Sequence, residues 1–229
     1  MPALIVVIFI LLAVGIAYVS WYVRDQRRKA FAVVAARLGF RYSPDDPFDL
    51  VSIPFALFSK GDGQGTENVL WGTHQGREIR VFDFWYFEES TDSEGHSSRT
   101  YNRFSCGLTS IQARCPHLQL GPEGFLSRLA DHVGFRDIEF ESEEFNRRFQ
   151  ISSEDRKFAY ALIDPRMMEW LLGAEELGYE VLDTFVLCST GRLKPEEAPT
   201  LLTAIEEFCG HIPAVVSDLY PTGRSLETS

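Results

Sequence analysis

The sequence predicts an α+β fold, with one N-terminal transmembrane helix followed by a mainly antiparallel sheet packed with amphipathic helices. Three observations carry that reading. Residues 3–23, ALIVVIFILLAVGIAYVSWYV, contain no charged side chain. Residues 68–74 and 77–89 read as two strands across Gln75-Gly76, a pair suited to a turn that needs positive φ. Later segments show apolar stripes at helical spacing, each opened by a Pro or an Asp and closed by a Gly.

The first 23 residues set the location. A helix rises ~1.5 Å per residue, so the uncharged run spans about 31 Å, one hydrocarbon core. Within that core a helix satisfies every backbone N–H and C=O internally. Tyr18, Trp21 and Tyr22 gather at its C-terminal end, where amphipathic rings favour the headgroup level. Arg24, Arg27, Arg28 and Lys29 follow at once, as topology-setting charges that also suit lipid headgroups. The other flank holds only Met1 and Pro2, so this bias predicts a single-pass protein of the cell membrane with its C-terminal domain in the cytoplasm. A cleaved signal peptide carries its positive charge before the apolar run and ends at small residues. Here the charge follows the run and Tyr-Val-Ser-Trp-Tyr closes it.

Beyond residue 30 the chain carries 18 Lys/Arg against 32 Asp/Glu, a net charge of about −14 with His neutral. Such a domain is repelled by nucleic acid and, away from its basic neck, by anionic lipid. Cys106, Cys115, Cys188 and Cys209 are scattered without CxxC pairing, and in a reducing compartment they are free thiols. Cys115-Pro-His117 offers two ligand types at a spacing that matches no common zinc pattern, so no metal is expected.

In chain order, residues 24–38 continue the helix, with Phe31, Val34, Ala35 and Leu38 on one face and Gly39 as the stop. Residues 40–43 read as a short strand. Residues 44–65 read as irregular, and GDGQG within them as a mobile surface loop. It lacks the GK[ST] of a phosphate loop and the ligand series of a calcium loop. On the 77–89 strand Phe82, Phe84 and Tyr86 share one face; Ile79, Val81, Trp85 and Phe87 share the other with Asp83 among them. Apolar residues on both faces predict a central strand covered on both sides. A buried Asp83 then needs a partner, and Arg103 on the next strand is the candidate.

Residues 88–98 are an acidic hairpin tip. Residues 100–111 return as a strand and 118–120 as another. Gly121-Pro122-Glu123 opens a helix bearing Phe125, Leu126, Leu129 and Val133, closed by Gly134. Residues 138–140 and 145–151 read as extended. Ser152-x-x-Asp155 resembles a capping box ahead of Phe158, Ala161 and Leu162. Asp164-Pro165 starts the next helix, whose apolar side is Met167, Met168, Leu171 and Leu172. A strand over 179–190 precedes a long helix from Pro195 with Leu201, Leu202, Ile205 and Phe208 as its stripe. The expected plan is 1–23 transmembrane helix, 24–39 basic juxtamembrane amphipathic helix, 40–214 α+β domain and 215–229 flexible tail. The strand–helix recurrence near residues 122 and 195 leaves two similar halves conceivable.

Residues 137–172, DIEFESEEFNRRFQISSEDRKFAYALIDPRMMEWLL, together with WGTHQGREIRVFDFWY at 71–86, resemble the signature of an uncharacterised bacterial family. Its members are single-span proteins common in high-GC Gram-positive bacteria, with a short juxtamembrane helix and one domain. The resemblance implies the anchored single-domain architecture. It brings no catalytic residue with it.

No GxSxG, HExxH, Rossmann or Walker motif is present, and the histidines are dispersed. No catalytic residue, cofactor or metal is therefore assigned. The expected function is a non-catalytic module at the inner membrane surface, binding a protein partner. One alternative is an enzyme whose site gathers Asp83, Arg103, His74 and Cys106 in one cleft. Another is a pleckstrin-homology-like domain docking on lipid headgroups beside the basic neck.

Overall fold

The structure, a computed structural model, describes residues 2–92, 95–122 and 136–222, with side chains for residues 5–92, 95–122 and 137–222. Of the helix expected to open at Gly121-Pro122-Glu123, residues 123–133 and the Gly134 stop lie outside the described residues, whereas Gly121 and Pro122 are not a helix start: they end a strand, paired with Gln150 and Phe149.

One unbroken helix, α1 (Pro2–Leu38), carries the chain from the apolar run into the domain. It is long and apolar enough to cross a membrane, and none of its apolar window is buried in the protein. Its last turns do pack: Phe31, Val34 and Ala35 are buried, and Gly39 ends the helix at φ +69°.

Among the described residues seven strands make one antiparallel sheet: β1 (Arg41–Asp45), β2 (Gly63–His74), β3 (Arg77–Thr91), β4 (Ser97–Pro122), β5 (Arg136–Asp137), β6 (Phe149–Ser153) and β7 (Gly178–Gly191). The β2–β3 turn is Gln75-Gly76, both at positive φ, as the hairpin signal requires. Strand β4 is the spine. Its first half pairs with β3, its last residues pair with β6 on the same edge, and β7 runs along the other edge. What reads in sequence as two strands, 100–111 and 118–120, is thus one strand of 26 residues. Register shifts between Ser110, Cys115 and Leu118 bend it. They also reverse the alternation: Phe104, Cys106 and Leu108 face one core, whereas Leu118 and Leu120 face the other. Pro116 sits at this irregularity, where a missing N–H is tolerated.

The two faces are covered differently. On one, α1 packs with α2 (Glu143–Arg148), α3 (Arg156–Leu162), α4 (Pro165–Gly173), α5 (Ala198–His211) and α6 (Ala214–Leu219), over Ile79, Val81, Leu118 and Val181. On the other, the segment after β1 folds back through short 3-10 turns, Leu50–Ser52 and Leu57–Ser59, and lays Leu50, Phe55 and Phe58 on Phe82 and Phe84. β3 is therefore buried on both sides over residues 81–84, as its sequence predicts, whereas Trp85 and Phe87 further along are only partly covered and residues 88–91 are exposed.

Four expectations are corrected. Gly63 and Gly65 belong to β2, not to a loop, because the rings of Phe87 and Trp85 lie where a Cβ would stand. Residues 145–148 are helical; Ser142 caps α2 by accepting from the Phe145 N–H, with Glu143 and Glu144 in the first turn and Arg147 and Arg148 in the last. The cap of α3 is Asp155 itself, accepting from the Lys157 and Phe158 N–H groups, and not Ser152. Within the segment expected as a flexible tail, residues 215–219 belong to α6. Val216 is buried there, and Tyr220 donates its hydroxyl to Asp155.

Candidate functional site

The most connected polar group in the described domain is Asp83, in the middle of β3 and 2% exposed. Arg27 of α1 donates to both its oxygens, Nε to Oδ2 and Nη2 to Oδ1, each at 2.7 Å. Asn68 Nδ2 donates to Oδ2 at 2.9 Å, and Ser105 Oγ to Oδ1 at 3.3 Å. Tyr42 in turn donates to Asn68 Oδ1 at 3.0 Å, and burial pushes its phenol up to about 12. The Leu193 N–H, from the segment after β7, donates to Ser105 Oγ at 3.1 Å.

Local backbone choices make this cluster. A bulge between Glu67 and Leu70 places Asn68 at φ +57°, a conformation Asn tolerates, and turns its amide toward Asp83. The α1 surface is periodic, so Arg27 stands one turn before Phe31 and follows it inward; its guanidinium lies 5.0 Å from the Phe31 ring. A two-pronged arginine–carboxylate pair is both strong and geometrically selective.

The anticipated pairing of Asp83 with Arg103 is therefore incorrect. Arg103 lies on the adjacent strand but reaches Glu67 at 3.5 Å, while the cation for Asp83 comes from the neck. The rest of the neck is also engaged: Lys29 with Asp25 at 2.6 Å, Arg28 with Asp45 at 3.8 Å, and Arg24 with the Ser20 carbonyl at 3.3 Å. Tyr18 stacks beside Trp21 and Tyr22 on the exposed part of α1, with ring centroids 6.0 and 6.5 Å away.

A second buried carboxylate, Glu180 on β7, lies on the opposite face of the sheet. It accepts from the Ala56 and Leu57 N–H groups and contacts His117 Nε2. The His117 N–H is held by Glu154 at 3.1 Å. Sequence reasoning passed over Glu180; its one signal is a carboxylate amid the apolar residues of a strand.

The four residues proposed for an enzyme site do not converge. His74 is 3.5 Å from Glu206, Asp83 is held by Arg27, Asn68 and Ser105, and Arg103 is with Glu67. Cys106 lies on the far face, where burial raises its thiol well above the ordinary range. Burial likewise pushes Cys115 and Cys188 up to about 12 and Cys209 to about 11. None of these is a poised thiolate. Among the described residues no three His, Cys, Asp or Glu side chains group as a metal site. A half-open cavity of about 160 Å³ lies between Trp170, Tyr179, Thr200 and Glu207, without a nucleophile–base pair in its wall.

No protein-family model matches the chain, and no curated protein matches it in sequence. Among solved structures, the chain is similar to the mycobacterial trehalose monomycolate transport factor A, TtfA, with a TM-score of 0.57 and 16% identity. The similarity covers 88% of this chain and 98% of that one. At that identity the likeness establishes a shared α+β fold.

Proposed function

We propose that this protein is a membrane-anchored, non-catalytic module whose domain sits at the cytoplasmic surface and binds a protein partner there. The observation that carries the reading is the Arg27–Asp83 clamp. The helix that would cross the membrane does not end at a flexible linker; it runs on as one of the domain's own core elements and is fastened to the sheet by a buried ion pair. A tether that only raises local concentration needs no such fixation. A domain that must be presented to a neighbour at one height and orientation does. The four thiols and two buried carboxylates are all engaged in packing or in structural contacts, which supports a binding role over catalysis. The fold likeness to a protein named a transport factor is in keeping with an accessory, non-catalytic role of this kind.

Crosslinking in native membranes tests it. Full-length protein should give a discrete crosslinked partner, and deletion of residues 1–23 should abolish it. A partner retained in full by the truncated chain would show that presentation at the membrane is irrelevant. Orientation has its own test: protease added to intact spheroplasts should spare the domain and digest it after lysis. Digestion in intact spheroplasts would reverse the topology.

A further inference from the structure

The sheet face that carries Asp83 continues past it into the arm formed by the ends of β3 and β4. There Trp85, Phe87 and Tyr101 form one aromatic strip, with ring centroids 6.4 Å apart for Trp85–Phe87, 5.9 Å for Trp85–Tyr101 and 5.6 Å for Phe87–Tyr101. β2 offers only glycine beneath it: Gly65 is paired with Trp85 and Gly63 with Phe87, so the rings lie flat on bare backbone. Arg99 stands 4.6 Å over Phe87 and Arg103 5.6 Å over Tyr101, and each is also paired with a carboxylate, Glu89 and Glu67. The strip is thus aromatic and close to neutral on a strongly acidic chain. Tyr101 is 49% exposed and Trp85 and Phe87 are partly buried, whereas the other side of the arm buries Phe84, Tyr86 and Phe104 in the core.

Position says what the strip meets. α1 descends β3 in the opposite sense: Arg27 lies on Asp83, and Phe40, just past the helix end, lies on Gly72, the partner of Ile79. Above Arg27 helix and arm part, because Trp21, Tyr22 and Val23 remain 57, 48 and 56% exposed. The strip is on the face turned toward α1. At ~3.3 Å per residue, Trp85 and Phe87 stand about 7 and 13 Å beyond Asp83. Val23, the last residue of the apolar run, is about 6 Å along the helix from Arg27 at ~1.5 Å per residue. An arm splayed from a membrane-spanning helix presents its helix-side face to the bilayer. Its polar end, with Glu88, Glu89 and Asp92, belongs in water and keeps the arm along the surface.

We infer that Trp85, Phe87 and Tyr101 are a second membrane contact, an aromatic foot that rests in the headgroup layer of the bilayer crossed by α1. This rests on the membrane reading of α1. Trp and Tyr favour that layer because an apolar ring and a polar edge are both accommodated there.

Full-length protein reconstituted in phosphatidylcholine vesicles, with and without brominated acyl chains near the headgroup, tests it by tryptophan quenching. Comparing wild type with Trp85→Phe, Trp21→Phe and Trp170→Phe isolates each fluorophore. Trp85 is expected to lose intensity to a degree comparable with Trp21, whereas Trp170, packed against Tyr179 at the far end of β4, keeps its own. Quenching of Trp21 without Trp85 overturns the foot and leaves the anchor standing; quenching of neither overturns both. A nitroxide on Tyr101→Cys gives an independent reading, since the four native thiols are buried. Oxygen should relax it more than a water-soluble nickel chelate. The reverse order, or shielding seen only in native membranes and never in vesicles, assigns the strip to water or to a protein neighbour and overturns the inference.

Discussion

Asp83 and Glu180 are both 2% exposed and face opposite sides of the same sheet, Asp83 from β3, paired on both edges, and Glu180 from β7, paired with β4 alone among the described strands. Their surroundings differ in kind. Asp83 is neutralised by a guanidinium brought in by α1 and is finished by side chains from β2 and β4. Glu180 takes backbone N–H groups from the 3-10 segment and a histidine from its neighbouring strand. The first arrangement ties a distant element to the sheet, and the second seats a local cover. A buried charge therefore marks, on each face, what the packing alone leaves loose: the membrane helix on one side, an irregular loop on the other.

That contrast predicts a ranking. Arg27→Met leaves Asp83 buried without its cation and should cost about 3–5 kcal/mol, read by urea unfolding of the full-length protein in detergent. The double change Arg27→Met, Asp83→Leu should recover most of that loss, because a well-packed apolar pair is often as stable as a buried ion pair. If the double variant is no better than the single, the cost arises from lost helix packing and not from the stranded charge. Glu180→Gln should cost less, about 1–3 kcal/mol, since an amide oxygen still accepts one of the bonds. Its distinctive sign is new protease cleavage within residues 46–62. Cleavage there in Arg27→Met but not in Glu180→Gln would invert the assignment of roles.

The thiols supply a pH window. Burial raises Cys115 and Cys188 from an ordinary 9.0 to about 12. The native state then holds these protons more tightly than the unfolded chain does, so the stability they contribute is whole below about pH 9 and is lost as pH climbs toward 12. Unfolding midpoints should fall across that range, and maleimide should label the thiols only as the protein unfolds. The smallest expected effect is Gly65→Ala. Its new methyl meets the Trp85 ring, which is only partly buried and must shift to admit it, so a loss of about 0.5–1 kcal/mol is expected by thermal melting.

The sequence made some of this plain and hid the rest for physical reasons. Elements with a local signature were readable: the uncharged run, the Gln75-Gly76 turn, the Asp164 cap with Pro165, and the double-faced β3. The clamp was half readable. Asp83 stands out as a charge among apolar neighbours, but strand pairing points to Arg103 on the next strand, when the partner lies 56 residues earlier on a helix. Arg27 looked like one more neck cation because a cation that sets topology and one that plugs a buried carboxylate have the same sequence context. Gly63 and Gly65 read as loop punctuation, since a glycine that makes room for a ring and one that bends a turn are the same letter. Residues 145–148 read as strand because Phe145 and Phe149 are bulky and the Ser142 cap is a single side chain.

Because α1 is continuous from Pro2 to Leu38 and is fixed at Arg27, the part below Val23 is a stiff arm of about 22 Å. Helices adjust to thicker or thinner lipid by changing tilt. With no hinge in between, such a change would not be absorbed at the neck; it would swing the whole sheet, so that bilayer thickness becomes a mechanical input to whatever the domain holds.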